Sequence, residues 1–189
     1  RTIARLKCGL SPLMKVVWLH KTLWRFSNDG KNCVNIKDAM SCFTTGVTVV
    51  TAHTHGQDWG MTCNSFNTVS LDPAMVLWSV RKSSLSHEAF LNAGGYMVNV
   101  LGAQQKDVAL KFAQGSQHER FENQNVVRGL NQHPRLEGVI AWFDCRIAQV
   151  VSAGDHDILI GEVLDFGVQA GHGLAYAQRT FGVLAALDD

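Results

Sequence analysis

The fold of this chain is decided by residues 138 to 168, which read GVIAWFDCRIAQVVSAGDHDILIGEVLDFGV. Two long stretches, Gly138 to Ala153 and His156 to Val168, stand on either side of Gly154-Asp155, a pair typical of a tight turn. In the second stretch apolar residues alternate with others, as they do along a strand with one buried face. The pattern predicts two long antiparallel strands joined by a hairpin turn.

The chain before this hairpin also favours strands over helices. Helices are predicted at Ile36 to Cys42, Ser83 to Leu91 and Ala103 to Ala113, and a polar loop at Gly115 to Pro134. Strands are predicted at 47–52, at 59–66 and 67–71 as one bent strand or two, at 74–80 and at 96–101. There is no βαβ rhythm and no G-x-G-x-x-G motif. A mainly β, mostly antiparallel barrel or sandwich with a few peripheral helices follows.

Composition excludes several classes of protein. The chain has 189 residues, of which 46% are hydrophobic and 17% charged, which is ordinary for a packed domain. A net charge of +1 gives no reason to expect nucleic acid as a partner, and no apolar run is long enough to span a membrane. The five cysteines form no C-x-x-C pair, which favours reduced thiols in a cytoplasmic protein. His53-Thr54-His55 has no third ligand nearby in sequence, so we expect no metal site.

Residues 1–35 differ from the rest of the chain. They carry a charge of +6, whereas residues 36–189 carry −5. Leu13, Val16, His20 and Trp24 recur at helical spacing. We therefore expect a separate basic segment at 1–35 and a domain at 36–189. The segment is interpreted as an accessory segment packing on the domain, as a targeting-like helix, or as sequence foreign to the natural reading frame; the start at Arg1 indicates processing, truncation or an irregular start.

No set of acid and base side chains stands out. There is no G-x-S-x-G elbow, and Asp155 and Asp157, which flank His156, would point to the strand face opposite to it. A chain without such a set suggests that a cofactor performs the chemistry and the protein positions it.

Two polar stretches could hold such a cofactor. Thr62 to Ser70 places hydroxyls and amides in a predicted strand, which fits either the edge of a flat heterocycle or a solvated strand face. Arg81 to Ser86 places two cations and three hydroxyls at a predicted helix start, which fits either a phosphate site or an ordinary capped helix. Together the two stretches fit a flavin mononucleotide laid across a sheet.

From about Ile36 to Leu184 the chain resembles the flavin reductase family with the FMN-binding split barrel, the reductase components of two-component flavin-dependent monooxygenases. The resemblance is carried by Gly60-Met61-Thr62-Cys63-Asn64-Ser65-Phe66, by Val69-Ser70-Leu71-Asp72-Pro73, and by Gly154-Asp155-His156-Asp157-Ile158-Leu159-Ile160-Gly161-Glu162-Val163. The order and spacing of these motifs together are specific, whereas each alone would be weak.

The resemblance implies an antiparallel, Greek-key-like split barrel that forms a homodimer with flavin near the subunit interface. It implies that Thr62, Asn64 and Ser65 meet the isoalloxazine edge. It places His156 at the nicotinamide, with capping of a strand start as the alternative, and Asn99 near the flavin, with strand pairing in the core as the alternative. The residues that it places around the phosphate are Arg81, Lys82, Ser83, Ser84 and Ser86.

The function implied is that of an NAD(P)H:flavin oxidoreductase. Hydride would pass from NADH or NADPH to FMN, or to FAD, and reduced flavin would go to a partner monooxygenase. The alternative is a non-catalytic flavin-binding or electron-transfer module. The residues favour neither flavin over the other and neither nicotinamide over the other.

Overall fold

The structure is a computed structural model that describes residues 16–19, 22–26 and 33–185, with side chains from residue 35 onward. The chain divides into two units, Arg1–Phe43 and Thr44–Asp189. None of the described helices has the length and apolar content needed to cross a bilayer.

The described part of the first unit is a small antiparallel sheet followed by one helix. Its elements are β1 (Val16–Leu19), β2 (Thr22–Phe26), β3 (Cys33–Asn35) and α1 (Ile36–Ser41). The spacing of Val16 and Trp24 predicts a helix, and this prediction is wrong. Both residues lie in strands, which β-branched and aromatic residues favour. Leu13 and His20 lie outside the described residues. The helix predicted from Ile36 is confirmed, and its first turn is capped by Asn35, which accepts a hydrogen bond from the Lys37 amide at 2.9 Å.

The second unit is built mainly of antiparallel strands. The strands are β4 (Thr45–Gly46), β5 (Thr48–Thr54), β6 (Gln57–Cys63), β7 (Asn67–Leu71), β8 (Ala74–Arg81), β9 (Gly95–Val100), β10 (Val126–Arg128), β11 (Pro134–Leu136), β12 (Ala141–Ala153), β13 (His156–Val168), β14 (Leu174–Ala177) and β15 (Thr180–Val183). The helices are α2 (His87–Asn92), α3 (Lys106–Gln114) and α4 (Gln117–Phe121), with a 3₁₀ turn at Ala103–Gln105. The predicted mainly β, antiparallel class is confirmed, and the long hairpin is β12–β13.

Seven strands form one sheet in the order β6-β5-β9-β12-β13-β8-β7. Its two edge strands are consecutive in the chain, since β6 ends at Cys63 and β7 begins at Asn67. The connection spans at most about 14 Å. A flat sheet of seven strands would hold its edges about 29 Å apart. The sheet must therefore curl until its edges nearly meet, which makes a barrel rather than a sandwich.

Ser65 fastens the connection between the two edge strands to β8. Its hydroxyl accepts a hydrogen bond from the Ser79 amide at 3.0 Å and lies 3.3 Å from the Ser79 carbonyl oxygen, to which it can donate. The side chain thus satisfies backbone groups of β8 that a neighbouring strand would otherwise pair.

Two apolar clusters fill the second unit, one on each face of β5. Val50 belongs to the first cluster, around Trp78, Phe90 and Tyr96. Its neighbour Val49 points to the opposite face of the strand and belongs to the second cluster. The second cluster also contains Val47, Leu101, Ala109, Phe112, Leu136, Val139 and Leu174. Because both faces of β5 are covered, the strand is buried along nearly its whole length.

The helix α3 packs closely on β6 because β6 has a glycine at the contact. A Cβ atom at Gly60 would lie only 2.6 Å from the Phe112 ring. The next helix, α4, was missed within the predicted loop at 115–134; it begins with a capping box in which Ser116 and Glu119 satisfy each other's backbone amides.

Candidate functional site

A cavity of about 440 Å³ opens at the end of β6. Its size falls in the range usual for small-molecule sites. The walls come from three places: the end of β6 with the β6–β7 connection, the end of β8 with the turn that follows it, and the start of β13. The lining residues are Met61, Thr62, Cys63, Asn64, Ser65, Ser79, Arg81, Ser83, Ser84 and His156.

Three residues predicted at a ring edge, Thr62, Asn64 and Ser65, all line this cavity. The Thr62 hydroxyl donates to the Ala109 carbonyl of α3 at 2.7 Å, and the Ser65 hydroxyl bonds Ser79, so both hydroxyls already have protein partners. Asn64 is exposed. The structure thus leaves the Asn64 amide and backbone groups as the polar edge that this wall presents.

Of the predicted phosphate residues, Arg81, Ser83 and Ser84 line the same cavity. They do not cap a helix, which corrects the predicted helix start at Ser83. The helix α2 begins at His87, and Ser86, at its N-cap position, makes no side-chain capping bond. The segment before it is a turn in which the Ser84 amide donates to the Arg81 carbonyl at 2.9 Å.

The other two predicted phosphate residues lie outside the cavity lining. The Lys82 ammonium donates to the Ser152 hydroxyl at 2.6 Å and to the Gly154 carbonyl at 2.9 Å. Ser86 is buried, and its hydroxyl lies 3.5 Å from the Gln117 side-chain oxygen. Lys82 differs from its neighbour Arg81 because successive side chains point to opposite faces where β8 ends.

Asn99 is also placed away from the cavity lining, in the core of the sheet. Its side-chain nitrogen donates to the Val49 carbonyl at 3.0 Å and to the Thr51 hydroxyl at 3.2 Å. Its side-chain oxygen accepts from the Leu136 amide at 2.8 Å. A fully buried amide must be satisfied in this way, so of the two roles weighed for Asn99 the structure shows the core one.

His156 stands at the start of β13 and faces the cavity with 35% of its side chain exposed. Its Nδ1 atom lies 2.8 Å from a carboxylate oxygen of Asp155. This hydrogen bond lowers the pKa of the Asp155 carboxyl below its usual value. Asp157 points away from the cavity to His87, so the two aspartates share no site.

Met61, Cys63 and Ser79, for which the sequence predicts no role, also line the cavity. Burial raises the pKa of the Cys63 thiol, so the thiol is protonated at neutral pH. Its sulfur lies 3.1 Å from the Thr48 hydroxyl. Ser79 could have been found from strand alternation, because it lies two residues before Arg81 on the same face of β8. The cysteines whose side chains the structure describes, Cys42, Cys63 and Cys145, are free thiols.

Comparison with known proteins identifies relatives of this chain. A family model described as the flavin reductase like domain matches residues 40–185. The chain is 45% identical over 147 residues to the reductase component of the flavin-dependent trigonelline monooxygenase of Acinetobacter baylyi, which covers 77% of this chain and 47% of that protein. It is 40% identical over 157 residues to the FMN reductase (NADH) SmoA of Agrobacterium fabrum, which covers 83% and 89% of the two chains. The chain therefore spans about half the length of the first relative and most of the second.

Two solved structures of flavin reductases are similar to this chain in fold and in sequence. The NADH:FAD oxidoreductase SgcE6 of Streptomyces globisporus, in complex with NAD and FAD fragments, superposes with a TM-score of 0.76 at 33% identity, covering 82% of this chain and 93% of that chain. The flavin reductase PheA2 in its native state superposes with a TM-score of 0.74 at 31% identity, covering 80% and 97%.

Proposed function

The chain belongs to the flavin reductase-like domain family, and we propose that it is an NAD(P)H:flavin oxidoreductase that transfers hydride from a nicotinamide to FMN or FAD. One observation supports this most strongly. A single cavity gathers the polar edge at Asn64, the cation Arg81 and the imidazole of His156, the three groups that a flavin and a nicotinamide would need.

The residues of the cavity fit a flavin mononucleotide in chemistry and in size. Phosphate is best recognised by a planar guanidinium together with hydroxyl and backbone donors. Arg81 supplies the guanidinium, and Ser83 and Ser84 supply two hydroxyls on the turn that follows it. Ser84 has a second use within the turn, since its hydroxyl lies 3.3 Å from the Ser86 amide, from which it can accept.

The wall formed by residues 62–65 would hold the ring. Its backbone groups and the Asn64 amide can match the hydrogen-bonding edge of an isoalloxazine, and donors there would stabilise negative charge on the reduced ring. The flavin, when bound, supplies the hydride acceptor. The chain's task is to hold the two ring systems in contact, with reacting atoms about 3–3.5 Å apart.

His156 is proposed to position the nicotinamide nucleotide. Since its Nδ1 atom is engaged by Asp155, Nε2 is the ring nitrogen left for a ligand. An Nε2 atom at the cavity wall can bond the carboxamide or a phosphate of NAD(P)H. The hydrogen bond to Asp155 would also hold the ring in one orientation.

The enzyme is proposed to act as a homodimer. The strand β8 pairs with β13 only as far as Glu162, so in the described structure residues 163–168 of β13 have no strand partner on that side. Phe166 and Val168 on this segment are 68% and 80% exposed, and Leu71 of β7 is 92% exposed. Apolar side chains beside an unpaired strand edge favour burial against a second copy.

The reduced flavin is proposed to serve a separate flavin-dependent monooxygenase. The relative from Acinetobacter baylyi is named as the reductase component of such an enzyme, which supports this role. The free thiols of Cys42, Cys63 and Cys145 support a reducing, cytoplasmic location.

The proposal is tested by mixing the purified chain with NADH or NADPH and with FMN or FAD, and following the absorbance of the reduced nicotinamide. Flavin-dependent oxidation is expected, and Arg81→Met should weaken it at low FMN. Tight flavin binding without nicotinamide oxidation would instead identify a binding or electron-transfer module. A chain that neither binds flavin nor oxidises the nicotinamide would contradict both the reductase and the binding-module functions.

A further inference from the structure

Lys82 turns away from the cavity and joins two of the segments that form its walls. Its ammonium donates to the Ser152 hydroxyl at 2.6 Å and to the Gly154 carbonyl at 2.9 Å. Its backbone amide donates to the Asp155 carbonyl at 3.0 Å. One residue of the β8–α2 segment therefore bonds three residues of the β12–β13 hairpin: Ser152 near the end of β12, and Gly154 and Asp155 of the turn.

Asp157 completes the connection from the side of β13. One carboxylate oxygen lies 3.7 Å from the Lys82 ammonium, and the other lies 2.7 Å from Nε2 of His87 at the start of α2. Asp157 and His87 are both buried, so the contact between them is little screened by solvent, whereas the Lys82 side chain is exposed. The hydrogen bond with His87 lowers the pKa of the Asp157 carboxyl, which is thus an anion facing both partners.

The two connecting residues are the chain neighbours of the cavity residues. Arg81 and Ser83 flank Lys82, and His156 precedes Asp157. Since successive side chains on a strand point to opposite faces, the contacts of Asp157 lie behind the wall from which His156 faces the cavity. A shift of the turn against the β8–α2 segment would change the distance between His156 and the phosphate-side residues of the cavity, which are Arg81, Ser83 and Ser84.

We propose that Lys82 and Asp157 are positioning residues that hold His156 and the phosphate-side residues of the cavity at the separation that hydride transfer requires. This inference rests on the proposed flavin reductase function. It differs from the role that the sequence suggested for Lys82, because it requires no contact between the lysine and the flavin phosphate.

Riboflavin, a flavin without a phosphate, separates the two roles. Lys82→Met keeps most of the side-chain stem and removes the ammonium. With riboflavin as acceptor, we expect kcat/KM for NADH to fall roughly 10- to 150-fold, the effect of losing about one hydrogen bond to a charged group. A direct phosphate ligand would leave the riboflavin reaction unchanged and impair only the FMN reaction.

Four further variants sharpen the test. Lys82→Arg keeps a cation and donors within reach of the turn and should restore most of the activity. Asp157→Asn should lower kcat/KM to a similar extent, and the double variant Lys82→Met/Asp157→Asn should lose less than the two single losses combined, because both act on one connection. Lys106→Met, at an exposed lysine of α3 outside this network, is the matched control and should behave like wild type.

Hydrogen exchange gives a readout that needs neither flavin nor nicotinamide. The backbone amide of residue 82, which donates to the Asp155 carbonyl, should exchange faster in Lys82→Met than in wild type. The thermal unfolding midpoint should change little. Unchanged riboflavin kinetics would overturn the proposal, whatever the FMN reaction shows. If the wild type oxidises no nicotinamide with any flavin, the proposed function fails. Hydrogen exchange at residue 82 of Lys82→Met then tests the lysine connection by itself: unchanged exchange would overturn the connection, and faster exchange would support it.

Discussion

His156 and Arg81 are direct partners across the ladder between β13 and β8. Partner residues on antiparallel strands carry their side chains on the same face, with Cβ atoms about 4.5–5.5 Å apart. The imidazole and the guanidinium therefore border the cavity side by side. The pairing of β8 with β13 extends from His156 to Glu162, so this pair stands at the very end of the ladder, next to the β12–β13 turn.

Replacement of Arg81 should weaken binding of the flavin phosphate and spare the ring. For Arg81→Met we expect the Kd for FMN to rise roughly 10- to 150-fold, since a hydrogen bond to a charged group contributes about 1.5–3 kcal/mol. The Kd for riboflavin should stay within twofold of wild type. Fluorescence titration with both flavins measures this; equal losses for FMN and riboflavin would place Arg81 at the ring instead.

His156→Ala should affect the reductant alone. We expect flavin affinity to stay near that of wild type and kcat/KM for NAD(P)H to fall by about 1–3 kcal/mol, or roughly 5- to 150-fold, through loss of one positioned hydrogen bond. Steady-state kinetics and a flavin titration on the same preparation test this. His172→Ala, at an exposed histidine elsewhere, serves as the control. Weaker flavin binding with normal turnover at saturating flavin would move His156 to the flavin.

His133 should make the folded protein sensitive to mild acid. It is 1% exposed, and its Nδ1 atom accepts from the His53 amide at 3.0 Å. Burial lowers the pKa of His133 to about 4. Between about pH 6.5 and 4 the unfolded chain binds a proton that the folded chain does not, so the free energy of unfolding falls by about 2–3 kcal/mol as the pH falls.

The variant His133→Asn keeps an acceptor for the His53 amide and removes the titrating ring. Its free energy of unfolding should depend on pH less steeply than that of wild type across this window. Denaturant unfolding at a series of pH values measures the difference. The buried Asp144, whose pKa is raised by burial, contributes in the opposite direction in both proteins and so does not affect the comparison. Parallel curves would show that His133 is not the group responsible.

Phe166→Lys should dissociate the proposed homodimer. Burial of a phenylalanine contributes about 1.5–3 kcal/mol, and a twofold interface uses each residue twice, so the dimer Kd should rise roughly 100-fold or more. Leu130→Lys is a matched control, since Leu130 is 67% exposed and Phe166 68%. Analytical ultracentrifugation over a concentration series decides the matter. Dissociation by both variants, or by neither, would remove β13 from the interface.

Removal of residues 1–35 should leave a folded, flavin-binding domain. The structure divides after Phe43, and the family model begins at residue 40, so both boundaries follow the deleted part. We expect the shortened protein to keep its thermal unfolding midpoint within a few degrees and its affinity for FMN. Aggregation or loss of flavin binding would show that the basic segment belongs to the domain.

Strand positions could be predicted from the sequence because they depend on near neighbours. Alternation and β-branched residues identified β5, β8, β9 and the β12–β13 hairpin, and turn residues identified Gly154-Asp155. The short helix α4 was missed because a single turn rich in polar residues looks like a loop. Its capping box, Ser116 to Glu119, was the available signal.

Which polar side chains face the cavity was decided only by the tertiary structure. Arg81 and Lys82 are adjacent cations in the sequence, yet one borders the cavity and the other bonds a turn some 70 residues later in the chain. The resemblance places Asn99 near the flavin, yet its side-chain amide bonds Val49 and Leu136 inside the core. Composition and spacing supply the donors and acceptors, but buried polar groups must find partners, and those partners are brought close only when distant strands pair.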